Sequence, residues 1–150
     1  MVNVSSKPAT SRTAKATATI HLGTSVYQAI TQQSAQQPTS AKGDILGVAR
    51  VSGILATKKT SDLIPLCHPL SLNGVDIEFE MDEREGKVDV RSEVSCEGKT
   101  GVEMEALTAV SVAALTVYDM CKAVSKDIRI SDIKLVEKRG GKSGIYKTST

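Results

Sequence analysis

The sequence has no tryptophan, a single phenylalanine (Phe79) and three tyrosines (Tyr27, Tyr118 and Tyr146) in 150 residues. A core so poor in aromatics has to be built from Val, Ile, Leu and Ala. The three cysteines, Cys67, Cys96 and Cys121, are odd in number, widely spaced and form no CxxC. That argues against a disulfide framework and for a reducing compartment. The cysteines and the two histidines show no chelating spacing, so no metal ligands are assigned. No run of about 18 apolar residues is present, nor an apolar signal-peptide core, so neither a membrane span nor secretion is expected. Residues 1–43 lack any acid. Lys7, Arg12, Lys15 and Lys42 make that part +4 and leave the rest at −2. The net charge of +2 is too small to point to nucleic acid. The Ser/Thr/Ala-rich start shares its composition with organelle transit peptides. It also reads as folded structure, and the expectation is a soluble cytoplasmic protein.

What is present is an ordinary globular mix, 40% hydrophobic and 24% charged. It fits a single domain over 1–150, with 1–11 and 139–150 read as flexible. From Arg12 to Leu22, Ala14, Ala16, Ala18 and Ile20 alternate with Thr13, Lys15, Thr17 and Thr19, the period of a half-buried strand. Val26, Tyr27 and Ile30 give a short helix over Ser25–Gln33. Asp44 is placed as an N-cap. Ile45, Val48, Ala49, Ser52, Leu55 and Ala56 follow as a buried helical stripe ending in Lys58-Lys59. Ser61–Pro69 reads as an apolar loop broken by Pro65 and Pro69. Val75, Ile77, Phe79 and Met81, then Val88, Val90, Val94 and Cys96, make a hairpin around Asp82–Gly86. Thr100 and Glu103 have capping-box spacing. They introduce a helix to about Val124, with Leu107, Val110, Ala114, Leu115 and Tyr118 inside. A last strand covers about Asp127–Glu137. Merging the two early helices gives an α+β, ferredoxin-like βαββαβ sandwich with an extra helix and a four-stranded antiparallel sheet.

Several residues in this frame are candidates for chemistry. His68 lies between Cys67 and Pro69 in the apolar loop. An imidazole titrates near neutrality, so it reads either as a ligand or proton shuttle or as a hydrogen-bonded, half-buried histidine. Asp119 and Lys122 read either as a solvated i,i+3 pair or as functional groups. The apolar neighbours Val117, Tyr118, Met120 and Cys121 favour function, because an acid in such a stretch is costly unless paired. Glu105 and Asp119 are 14 positions apart, about 21 Å along a helix. Either only one of them is catalytic, or a two-fold axis brings copies from two subunits together. The tail Gly140-Gly141-Lys142-Ser143-Gly144 imitates the end of a Walker A motif. Val136 stands where the first glycine belongs, and no helix follows. What remains is a glycine-rich segment with Lys138, Arg139, Lys142 and Lys147, read either as an anion-wrapping loop or as a solvated tail.

Four stretches are more specific. They are Lys42-Gly43-Asp44, the run from Lys58 through Leu66-Cys67-His68-Pro69-Leu70, the run Gly98-Lys99-Thr100-Gly101-Val102-Glu103-Met104-Glu105-Ala106-Leu107-Thr108, and Tyr118-Asp119-Met120-Cys121-Lys122-Ala123. Together they closely resemble molybdenum-cofactor biosynthesis protein C, the cyclic pyranopterin monophosphate synthase family, across essentially the whole chain. The resemblance implies a ferredoxin-like subunit in a homohexamer, a trimer of dimers, with active sites at subunit interfaces. It implies a substrate, a 3′,8-cyclised dihydro-GTP, converted to cyclic pyranopterin monophosphate with loss of diphosphate. By motif, Asp119, Lys122 and Lys42 would be catalytic. Leu66, Cys67, His68, Glu103, Met104 and Glu105 would bind substrate, with Arg12, Lys138 and Lys142 on the phosphates. No protein-held metal or cofactor is implied; Mg²⁺ carried on the triphosphate is compatible. The family usually has Val-Asp-Val where this chain has Val2-Asn3-Val4, so Asn3 takes no role that needs a charge. The rival reading is a binding module on the same fold. For RNA, the predicted strands offer one stacking aromatic, Phe79. A metabolite sensor would not need Asp119, His68 and Lys42 to converge.

Overall fold

The computed structural model describes residues 1–31 and 43–148; Lys42 lies outside them. The elements in chain order are β1 (Thr10–His21), α1 (Gly23–Thr31), α2 (Ile45–Thr57), α3 (Thr60–Leu63), β2 (Leu72–Asp82), β3 (Lys87–Gly98), α4 (Glu103–Cys121), β4 (Arg129–Arg139) and β5 (Tyr146–Lys147). The sheet is antiparallel, in the order β2-β3-β1-β4-β5. Its first four strands are the sheet of the ferredoxin-like α+β reading. The fifth strand is an addition that the sequence pattern did not show, because two residues are too few for an alternation.

The alternation in β1 produces what it predicts. Ala14, Ala16, Ala18 and Ile20 are fully buried and pair with Val94, Ser92, Val90 and Val88 of β3. This aliphatic face is covered by α4, whose Ala106, Ala109, Val110, Ala113, Ala114 and Val117 are buried. By length and composition alone α4 is apolar enough to cross a membrane, yet it is the core helix of the domain. The opposite sheet face is polar, with Lys15 bonded to Glu93 and Arg91 to Glu80, each at 2.7 Å.

Four local expectations are corrected. The buried stripe of α2 is Ile45, Ala49, Gly53, Ala56 and Thr57, while Val48 and Leu55 are exposed. The residue facing α4 is Gly53, invisible to a count of apolar side chains. A Cβ there would lie 2.8 Å from the Ala109 carbonyl oxygen. No capping box forms on α4. Its N-cap is Val102, without a side-chain cap bond, so Thr100 sits two residues too early to serve. Leu115 is exposed rather than inside. By contrast Asp44 caps α2 as expected, its Oδ1 accepting from the Gly47 N–H at 3.0 Å. A one-turn helix, α3, occupies the start of the stretch read as a loop.

Candidate active site

Three segments meet at one end of the sheet: the 64–70 loop, the 98–102 turn with the start of α4, and the N-terminal residues ahead of β1. Pro65 and Pro69 keep the loop out of helix, and the Cys67 N–H donates to the Ile64 carbonyl at 3.0 Å. A cleft of about 300 Å³ is lined by Leu66, Cys67, His68, Leu70, Thr100, Gly101, Glu103, Met104 and Glu105, and by Val2, Val4 and Lys7. Glu105 is only 4% exposed. Loss of water raises its pKa above the ordinary glutamate value, and the charge of Glu103 adds to the effect. The Cys67 thiol is likewise pushed up, by burial and by Glu105. It is therefore held as a thiol, a poor nucleophile, and lines the wall.

A second lobe of about 280 Å³ shares Lys7, Thr100, Gly101 and Glu103 with the first. Its further lining is Pro8, Arg12, Lys99, Lys138, Lys142 and Ser143. Among the described residues, five cations face one carboxylate there. Arg12 reaches this end because it pairs with Cys96 on the helix-covered sheet face; its Nε donates to the Gly98 carbonyl at 3.3 Å. Lys99 Nζ donates to the Ser5 carbonyl at 2.7 Å. Lys138 is hydrogen-bonded to the Ser143 hydroxyl. The lobe suits a multiply charged anion and adjoins a pocket with an imidazole and a buried carboxyl.

The sequence-derived substrate residues therefore come together: Leu66, Cys67, His68, Glu103, Met104 and Glu105 in one lobe, Arg12, Lys138 and Lys142 in the other. Asp119 and Lys122 do not join them within one subunit. Asp119 lies near the far end of α4, about 21 Å along its axis from Glu105, and Lys122 caps that end. Asp119 Oδ1 is 2.6 Å from Lys122 Nζ, and both side chains are half exposed. Asp119 is thus not buried among its apolar neighbours; Val117, Met120 and Cys121 turn to the core while Asp119 takes the outer side. The bond to Asp119 holds the Lys122 ammonium above its ordinary pKa. Lys42 falls outside the described residues. Lys7 and Lys99 were not singled out from the sequence. Their only signals were the acid-free N-terminus and the Gly98-Lys99-Thr100-Gly101 turn. Among the described residues, no three His, Cys, Asp or Glu side chains cluster to hold a metal.

A profile of the MoaC family matches residues 1–141, nearly the whole chain. The chain belongs to the MoaC family. It is 56% identical to a Heliobacterium modesticaldum protein named cyclic pyranopterin monophosphate synthase, over 146 residues covering 97% of this chain and 89% of that one. A Natranaerobius thermophilus protein of the same name is 51% identical over 144 residues, 96% of this chain and 87% of that one. One from Thermoanaerobacter sp. is 50% identical over 147 residues, 98% and 90% of the two chains. The span matched to the MoaC family carries both lobes of the cleft except Lys142 and Ser143, and also the Asp119–Lys122 pair.

Proposed function

We propose that this chain is a cyclic pyranopterin monophosphate synthase, converting 3′,8-cyclo-7,8-dihydroguanosine 5′-triphosphate to cyclic pyranopterin monophosphate and diphosphate. The observation that carries this is the two-lobed cleft: five cations in one lobe, Cys67, His68 and Glu105 in the other. The cationic lobe takes the triphosphate. The neighbouring lobe takes the fused rings against Met104 and Leu66. Closing the cyclic phosphate joins a ribose oxygen to the α-phosphorus and breaks that atom's bond to the bridging oxygen. The charge that develops on the departing diphosphate is met by Lys7, Arg12, Lys99, Lys138 and Lys142. The reading assigns no metal to the protein; Mg²⁺ on the triphosphate is compatible with it.

Ring opening and rebuilding need proton transfers, which we assign to Asp119, Lys122 and Lys42. The chemistry is that of a lyase. Because that pair lies a helix-length from the cleft, the reading requires a second subunit to deliver it. The exposed Val48, Val51 and Leu55 on α2 and Leu115 on α4 support such a contact. Burial there strips water from Lys122 and opposes the upward pull of Asp119, bringing the ammonium toward neutrality. The assembly is a homohexamer, a trimer of dimers, in the cytoplasm. The RNA-binding alternative loses its platform: Phe79 packs on the core, with the Arg50 guanidinium 5.6 Å from its ring centre. Incubation with the cyclised triphosphate, read by chromatography, tests the reading. Wild type should release diphosphate and the cyclic monophosphate in equal amounts. A well-folded oligomer that forms neither would leave the metabolite-binding alternative standing.

A further inference from the structure

Besides Glu105, one other carboxylate is buried among the described residues, and it lies outside the proposed catalytic and substrate groups. Glu137 is 5% exposed, yet it lies on the sheet face away from the cleft. In register it sits opposite Lys15 of β1 and Lys147 of β5. Its neighbour Lys138 sits opposite Ala14, a core residue, and Tyr146. Successive strand residues point to opposite faces, so Glu137 and Lys138 are back to back through the sheet. The Glu137 carboxylate accepts from the Arg139 Nε, and its other oxygen is 3.5 Å from the Lys147 Nζ. The Thr148 N–H donates to the Val136 carbonyl at 2.8 Å, completing the return of the tail along β4.

The loop between these strands is seated closely at its other end. Gly140 and Gly141 have φ of +93° and +74°. A Cβ on Gly140 would fall 2.2 Å from the Ser11 carbonyl oxygen, and one on Gly141 1.7 Å from the Arg12 Nη1. The loop therefore lies directly on Arg12, and its tip carries Lys142 and Ser143 into the cationic lobe.

We propose that Glu137 is a positioning residue for polyphosphate binding: steadied by Arg139 on its own strand, it clasps Lys147 of β5, closes the β4–β5 hairpin and holds Lys142 over the cleft. The inference rests on the reading of that lobe as the phosphate end of the substrate site. It makes a prediction opposite to simple electrostatics. Removing a negative charge near five cations should tighten anion binding through space; loss of the clasp should weaken it.

The test is calorimetric titration of the full-length protein with inorganic tripolyphosphate, alongside turnover of the cyclised triphosphate. Glu137→Gln should raise the tripolyphosphate Kd about threefold to tenfold and raise KM similarly, with kcat within about twofold. Lys147→Ala, a change to an exposed side chain, should act in the same direction and serves if Glu137→Gln folds poorly. In a Lys142→Ala background the effect of Glu137→Gln should largely vanish, because Glu137 acts through that lysine. Tripolyphosphate affinity unchanged or improved in both Glu137→Gln and Lys147→Ala overturns the clasp alone. An undiminished effect in the Lys142→Ala background also overturns it. A wild-type protein that binds no tripolyphosphate overturns the phosphate reading of the lobe and the clasp with it.

Discussion

Replacing Gly53 by alanine tests the packing that sets the distance between α2 and α4. An added Cβ would stand 2.5 Å from the Ile77 Cδ1, 2.8 Å from the Ala109 carbonyl oxygen and 3.3 Å from the Ala113 Cβ. The isoleucine terminus can turn aside. The carbonyl belongs to the backbone of α4 and cannot, so the helices must part. Overpacking of this kind costs about 1–3 kcal/mol, and the better helix propensity of alanine returns about 1 kcal/mol. The net expectation is a loss of about 1 kcal/mol, or roughly 0.5 M in urea midpoint for a domain of this size. Gly47 is the control. The three heavy atoms nearest a Cβ there all belong to the Asp44 side chain, the closest at 2.2 Å. The carboxylate can swing away, losing a cap worth about 1 kcal/mol while alanine restores a similar amount. Gly47→Ala should therefore be near neutral. Urea unfolding of both variants and wild type, at one protein concentration because of the proposed assembly, reads the difference. A Gly53→Ala protein as stable as wild type would refute the close-packing argument.

Other expectations follow from single features of the chain. Asp44→Ala should cost about 1 kcal/mol in the same urea assay, through loss of the α2 cap. Cys67, half-exposed in the cleft, should react with iodoacetamide before the buried Cys96 and Cys121. Burial pushes the Cys121 thiol up to about 11, so it should label only on unfolding, and tripolyphosphate should slow Cys67 if the two lobes are one site; mass spectrometry of timed samples checks both. Arg139 and then Lys147 hold the Glu137 carboxyl below its ordinary value of 4.5. A depressed acid stabilises the fold above its unfolded pKa and loses that contribution as pH falls through the folded value. The Tm difference between wild type and Glu137→Gln should be fully present at neutral pH and shrink progressively below about pH 4.5.

The sheet was legible because its strands alternate: Ala14, Ala16, Ala18 and Ile20 declare a buried face without any knowledge of the partners. The interior of α4 was legible only in part: Val110 and Ala114 are buried, but Leu107 and Tyr118 are half-buried and Leu115 is exposed, while the small Ala106, Ala109 and Ala113 fill the core. Errors came where contact depended on an absence or on phase. Gly53 contributes to α2 by having no side chain, so Val48 and Leu55 were counted inward in its place. Asp119 stood out as an acid among apolar neighbours, but one residue of helical phase decides between core and surface, and it lies outside. Leu66, Cys67, His68, Glu103, Met104 and Glu105, which line the first lobe, and Arg12, Lys138 and Lys142, which line the second, were all named from the sequence. Lys7 and Lys99 could not be, because the N-terminus and the 98–101 turn become neighbours only through the pairing of β1 with β3, which no local pattern records.

The central claim is that the cleft of one subunit is completed by the Asp119–Lys122 pair of another. Subunit mixing tests it most directly. Asp119→Asn and His68→Ala proteins, each with turnover of the cyclised triphosphate reduced at least a hundredfold, are unfolded together, refolded as a mixture and assayed for diphosphate. With random pairing, half the dimers are mixed, and each mixed dimer holds one intact site. Activity should then return to about a quarter of wild type. No recovery in mixtures shown by mass spectrometry to contain mixed dimers would place both residues in the same subunit's site and contradict the account.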